Sequence, residues 1–137
     1  MGLVLDSTVF IAAERRGLNV QQTLSEIASR FPSEPFAVSV ITLMELAHGA
    51  ARADTPQRAI ARRQYLQELM TASPVHDVTA SIALRAGQID GECTARGVRI
   101  SAADLLIGVT ALELGFKIAT ANLRHFEAIP GLGIDPL

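Results

Sequence analysis

The chain has one cysteine, one lysine, no basic excess and no uninterrupted apolar stretch of membrane-spanning length. Cys93 has no partner for an internal disulfide, which fits a reducing compartment and, with the absences below, the cytoplasm. The apolar opening Gly2-Leu3-Val4-Leu5 stops at Asp6, far short of a signal-peptide core. The longest apolar stretch, Ala102 to Ala119, carries Asp104, Glu113 and Lys117, so it reads as a buried helix followed by a strand. Histidine and cysteine do not converge in a zinc-like spacing, and no repeat or low-complexity segment is present. Net charge is −2. That balance neither excludes nor favours a nucleic-acid substrate, provided the site uses metal ions to offset phosphate charge.

What is present is a globular composition. The 137 residues are 49% hydrophobic and 19% charged, the size and balance of one domain with a single buried core, spanning 1–137. Leu3-Val4-Leu5 is a short apolar strand, followed directly by a helical pattern through Val9, Phe10, Ile11 and Ala12. A second helix covers Val20 to Arg30, before Pro32. Phe36 to Val40 reads as a buried β-branched strand, and Thr42 opens a helix to about Arg52. Helices are expected from Pro56 to about Thr71, from Thr79 to Arg96 and from Ser101 to Leu114, the last closed by Gly115. Val75 begins a brief extended piece and Phe116 to Thr120 a strand. Asn122 to about Ile129 is expected as a short helix, and Gly133-Ile134 as a last extended piece. Short strands, apolar on both faces and separated by helices, predict a parallel sheet in a three-layer α/β/α sandwich.

Such sheets place their sites at the carboxyl ends of the strands. Asp6, Glu45, Asp104 and Asn122 all follow closely on a strand or open a helix near one. Each also has an ordinary reading. Ser101 to Asp104 and Thr42 to Glu45 fit the capping-box spacing, and Asp6 and Asn122 are common cap residues. Taken together, the acids make a stronger case. Asp104 stands at the mouth of an almost wholly apolar helix, where an ionised acid needs a counter-charge. Gathered carboxylates also repel, so one protonates unless a cation is present. Hard carboxylate oxygens favour Mg2+ or Mn2+, and ions so held beside a phosphodiester support its hydrolysis.

Four segments then carry a resemblance: Leu5-Asp6-Ser7-Thr8-Val9-Phe10-Ile11, Ser39 to Gly49, Ile100 to Ile107, and Thr120-Ala121-Asn122-Leu123-Arg124-His125-Phe126. In order and separation they resemble the four motifs of the PIN domain, most closely those of VapC-type toxins of bacterial toxin–antitoxin pairs. The resemblance spans essentially the whole chain. It implies a PIN-like fold, a Mg2+- or Mn2+-dependent endoribonuclease acting on tRNA or rRNA, a VapB-like antitoxin and a homodimer. It implies Asp6 and Asp104 as metal ligands and Glu45 as a ligand through water or an orienter of the nucleophile. Thr8 falls where the family places a hydroxyl that bonds within the acidic cluster. Many relatives carry aspartate at the Asn122 or His125 position. This chain does not, which leaves one tightly held metal or two open, with Asn122 able to orient water or an acid or to serve as an ordinary helix cap.

Other residues carry less. His48 lies nearly one turn after Glu45 and suits a phosphate contact or a structural hydrogen bond. His125 suits a substrate contact or a solvated surface, and His76 reads as structural. Arg15, Arg16, Arg52, Arg62 and Arg63 fit an RNA-binding rim, an acidic antitoxin segment or plain solvated helix faces. Leu24, Ile27, Ile60, Leu66 and Leu69 fit a dimer surface or the core. Two rival classes remain at this point: a non-catalytic α/β binding module whose acids are caps, and a phosphotransfer protein using the aspartate after its first strand. The second lacks the paired aspartate, since position 8 is Thr8, and its only lysine opens a strand.

Overall fold

The computed structural model describes all of residues 1–137. The elements in order are β1 (Leu3–Leu5), α1 (Ser7–Arg15), α2 (Val20–Arg30), β2 (Phe36–Ser39), α3 (Val40–Ala51), α4 (Pro56–Ala72), β3 (Val75–His76), α5 (Ala80–Ala95), α6 (Ala102–Leu114), β4 (Lys117–Thr120) and β5 (Ile134–Pro136). Five strands form one sheet in the order β3-β2-β1-β4-β5. Every pairing is parallel, with Val4 beside Ala37 on one side and Ile118 on the other. The three-layer α/β/α expectation therefore holds.

Alternation along the strands divides the core in two, because successive side chains point to opposite faces. Val4 and Ile118 join Ile82, Ala86 and Ile89 of α5 and Leu105, Ile107 and Val109 of α6 on one face. Leu3, Leu5, Val38 and Ala119 join Val9 and Phe10 of α1, Val20, Leu24 and Ile27 of α2 and Leu69 of α4 on the other. Helix α3 lends Ile41 to the first cluster and Leu43 and Leu46 to the second. It thus spans both layers at the end of β2. Gly115 ends α6 with φ 69°, a left-handed turn that feeds β4 at once.

Two local expectations are corrected. The β2 strand ends at Ser39, and Val40 already belongs to α3, whose first turn is capped by Ser39 Oγ accepting from the Ile41 amide at 3.1 Å. Thr42 is therefore not the cap, and the Thr42–Glu45 capping box does not form. The short helix expected from Asn122 to Ile129 is only a single 3-10 turn, Leu123–His125. Phe126, Ile129 and Leu132 instead donate their amides to the carbonyls three residues back, a chain of tight turns that sinks Phe126 and Ile129 into the core.

Candidate active site

Asp6 follows β1 directly, and its amide donates to the Ala119 carbonyl at 3.0 Å, so the strand pairing holds its backbone in place. It occupies the cap position of α1, yet its side chain makes no capping bond and is 1% exposed. Its Oδ2 instead accepts from the hydroxyls of Thr8 at 2.6 Å and Thr120 at 3.0 Å. A carboxylate with those two bonds and none to a backbone amide of α1 is not explained by capping.

Glu45 stands in the second turn of α3. Ser7, the first residue of α1, donates to its Oε1 at 2.9 Å. Burial holds the Glu45 carboxyl above the ordinary range; the Ser7 hydroxyl opposes this, and the charges of Asp6 and Asp104 add to it. Asp104 lies in the first turn of α6, where Ser101 Oγ accepts from its amide at 3.2 Å and the carboxylate makes no return bond. Burial also raises the Asp104 carboxyl; the Ser101 hydroxyl and the charge of His125 oppose this, and Asp6 contributes to it. Three acids separated by up to 98 positions (104 − 6) thus lie close enough to act on one another. They are not gathered tightly enough for any three His, Cys, Asp or Glu side chains to close directly on one ion.

Asn122 makes no capping bond either. Its Nδ2 lies 2.9 Å from His125 Nε2, and His125 Nδ1 lies 3.5 Å from Asp104 Oδ2. With the ring neutral, Nε2 accepts from the Asn122 amide and the proton sits on Nδ1, facing Asp104; with the ring protonated, it is the imidazolium charge that faces Asp104. Position 125 therefore faces the acids while carrying no negative charge.

The sequence reading missed Ser7 and Thr120. Thr8 it placed, through the motif. The His48 side chain is exposed and makes no hydrogen bond, and His76 Nδ1 meets the Asp77 carbonyl at 2.9 Å. Arg16 is paired to Glu26 at 2.8 Å, and Arg62 to Glu14 at 2.9 Å and to the Gly49 carbonyl at 2.8 Å. Arg15, Arg52 and Arg63 form no ion pair and stay exposed. Leu24, Ile27 and Leu69 are core residues, whereas Ile60 is 57% exposed. Beside Glu45 opens a cavity of about 510 Å3 between α1, α3 and α4, bounded by Phe10, Leu46 and Tyr65 and rimmed by Arg15, Arg58 and Arg62.

A parallel sheet with this order and acids at its carboxyl edge defines a class. The PIN domain family matches residues 3–132, and the chain belongs to that family. Its relatives there are VapC ribonucleases. It is 35% identical over 98 residues to the tRNA(fMet)-specific endonuclease VapC of Salmonella typhimurium, covering 72% of each chain. Over 130 residues it is 28% identical to Ribonuclease VapC2 of Haemophilus influenzae, covering 94% of this chain and 92% of the relative. Among solved structures it matches DNA-bound VapBC from Salmonella typhimurium with a TM-score of 0.81 at 29% identity, covering 99% and 98% of the two chains. VapBC2 from Rickettsia felis, bound to a DNA fragment from its promoter, shares the fold with a TM-score of 0.83 at 21% identity, covering 100% and 99%.

Proposed function

We propose that this protein is an endoribonuclease, the toxin of a toxin–antitoxin pair, and that it hydrolyses RNA phosphodiester bonds at Asp6, Glu45 and Asp104. The chain acts as a single domain in the cytoplasm; none of its helices is long and apolar enough to cross a membrane. One observation carries the reading. In a PIN domain with VapC relatives, three acids, one directly after β1 and the others on α3 and α6, come within electrostatic reach of one another, and two of them are raised by burial and by their neighbours' charge.

That arrangement fits a divalent cation. The donors are hard oxygens, and their mutual repulsion is relieved by positive charge. The family resemblance assigns Asp6 and Asp104 as the residues that would hold the ion directly and Glu45 as one that would hold it through water, and the chain's matching positions carry those acids. A bound Mg2+ or Mn2+ supplies activation of water and stabilisation of the leaving oxygen. Thr8 and Ser7 hold two of the acids in place, and Asn122 orients His125 toward the third. With Asn122 and His125 in the fourth motif, no further acid is supplied for a second ion.

The substrate is RNA of the tRNA or rRNA class, in keeping with the tRNA-specific name of the Salmonella relative. On the rim of the cavity beside Glu45, Arg15 forms no ion pair and offers a phosphate contact to a strand entering the site, while Arg58 and Arg62 are paired to Asp54 and Glu14. A VapB-like antitoxin is the partner, in keeping with the VapBC complex of the 29% identical relative. The toxin works as a homodimer, for which Ile60 and the partly buried Leu66 are the exposed remainder of the candidate apolar row.

The test is cleavage of a mixed tRNA and rRNA pool by purified protein with Mg2+ or Mn2+, with chelator, and by Asp104→Asn. Metal-dependent cutting that the variant loses is the expected result. Cutting that persists in chelator and in the variant overturns the three-acid reading.

A further inference from the structure

Asp6 has no backbone partner for its carboxylate, so its placement depends on two hydroxyls. Each hydroxyl owns one proton. Thr8 and Thr120 both direct theirs to Asp6 Oδ2, at 2.6 and 3.0 Å, so their own 3.1 Å approach is a shared-neighbour contact. What orients them is the turn after β4. The Ala121 amide donates to Thr8 Oγ1 at 3.0 Å and the Asn122 amide to Thr120 Oγ1 at 2.9 Å. An amide N–H only donates; it occupies the acceptor side of each hydroxyl and leaves the proton for the carboxylate. Thr120 is fully buried, and so is its bond to Asp6, so water does not substitute for that bond.

We propose that Thr120 is a positioning residue for Asp6. Together with Thr8 it clamps Oδ2 and leaves Oδ1 as the oxygen with no protein donor, free to bind a cation. Thr120 also makes the clamp depend on the β4 turn that carries Asn122. This rests on the metal-bound reading given above, and Thr120 acts through Asp6 without touching substrate.

The experiment is calorimetric Mn2+ titration of the wild type, Thr120→Val, Thr120→Ser and Asp6→Asn, beside the carbon NMR resonance of the Asp6 carboxylate. Valine keeps the shape and removes the hydroxyl; serine keeps the hydroxyl. Loss of an outer-shell partner is expected to weaken Mn2+ binding about 10–100-fold in Thr120→Val, with Thr120→Ser close to wild type. A purely structural role lowers the melting temperature of Thr120→Val and leaves Mn2+ affinity alone. If Asp6→Asn abolishes binding while Thr120→Val binds as the wild type does, the proposal is overturned and the metal reading stands. If the wild type itself binds no Mn2+, the metal reading fails, and the carboxylate resonance decides. A shift in Thr120→Val that Thr120→Ser restores upholds the clamp, and an unmoved resonance overturns it.

Discussion

Ser7 donates a 2.9 Å hydrogen bond to Glu45, joining the first residue of α1 to the second turn of α3 across 38 positions. Ser7 is buried, and its hydroxyl holds the Glu45 carboxyl down against the upward push of burial. Ser7→Ala therefore raises the Glu45 carboxyl further. The acid limb of the cleavage rate against pH, measured at fixed Mn2+, is expected to move to higher pH. The rate at neutral pH falls by about tenfold, the lower end for loss of a supporting hydrogen bond. A limb that stays in place rules out Glu45 as the group that must ionise.

Removing the acids separates catalysis from folding. Asp104→Asn and Glu45→Gln are each expected to lose metal-dependent cleavage, while the metal-free melting temperature holds or rises as repulsion is relieved. A helix cap predicts the reverse, a loss of about 1 kcal/mol of stability with activity kept. Thermal melts and a cleavage time course on the same preparations discriminate between them.

Stability should also depend on pH in an unusual direction. Glu45 and Asp104 titrate above their ordinary values of 4.5 and 3.8, chiefly because of burial. Between those ordinary values and the raised folded ones, the native state holds more protons than the unfolded chain. Their contribution is thus complete below the ordinary values and is lost as pH rises through the folded ones, opposite to a salt-bridged acid. In chelator, the double variant Glu45→Gln, Asp104→Asn is expected to lose less stability than the wild type between acidic and neutral pH. Equal slopes in calorimetric melts count against the acidic cluster. Mg2+ at about 100 times its dissociation constant should restore about 2.7 kcal/mol to the wild type, and nothing to the double variant.

His125→Asp tests the fourth motif. The charge of His125 lowers both Glu45 and Asp104, whereas an aspartate there pushes both up. Tighter Mn2+ binding and a lower metal-free melting temperature are expected together. Unchanged Mn2+ affinity means that position 125 does not share the field of the acids.

Most of the fold was legible because β1, α2, α4, α5, α6 and β4 each carry a pattern that their packing then uses. Ser101 and Gly115, for example, mark the ends of α6 in sequence and in structure. Val40 misled because β-branched residues favour strands, while the Ser39 cap and the packing of the neighbouring Ile41 against the core beneath α3 draw it into a helix. The three acids were visible as chemistry. Their supports were not: Thr120 at the end of an apolar strand looks like any buried threonine, and its partner Asp6 is 114 positions away. Asn122 was legible as a polar residue near the site, but its bond to His125 belongs to a turn where a helix was expected.

Because β1 lies at the centre of the sheet, between β2 and β4, the first acid made must wait for the late strand that clasps it. At about 5–20 residues per second, several seconds of translation separate Asp6 from Asp104 and Thr120. A nascent chain stalled before Asp104 carries Asp6 with neither its second hydroxyl nor the acid of α6. The order of strands in the sheet thus leaves Asp6 without its second clasp until almost all of the chain has been synthesised.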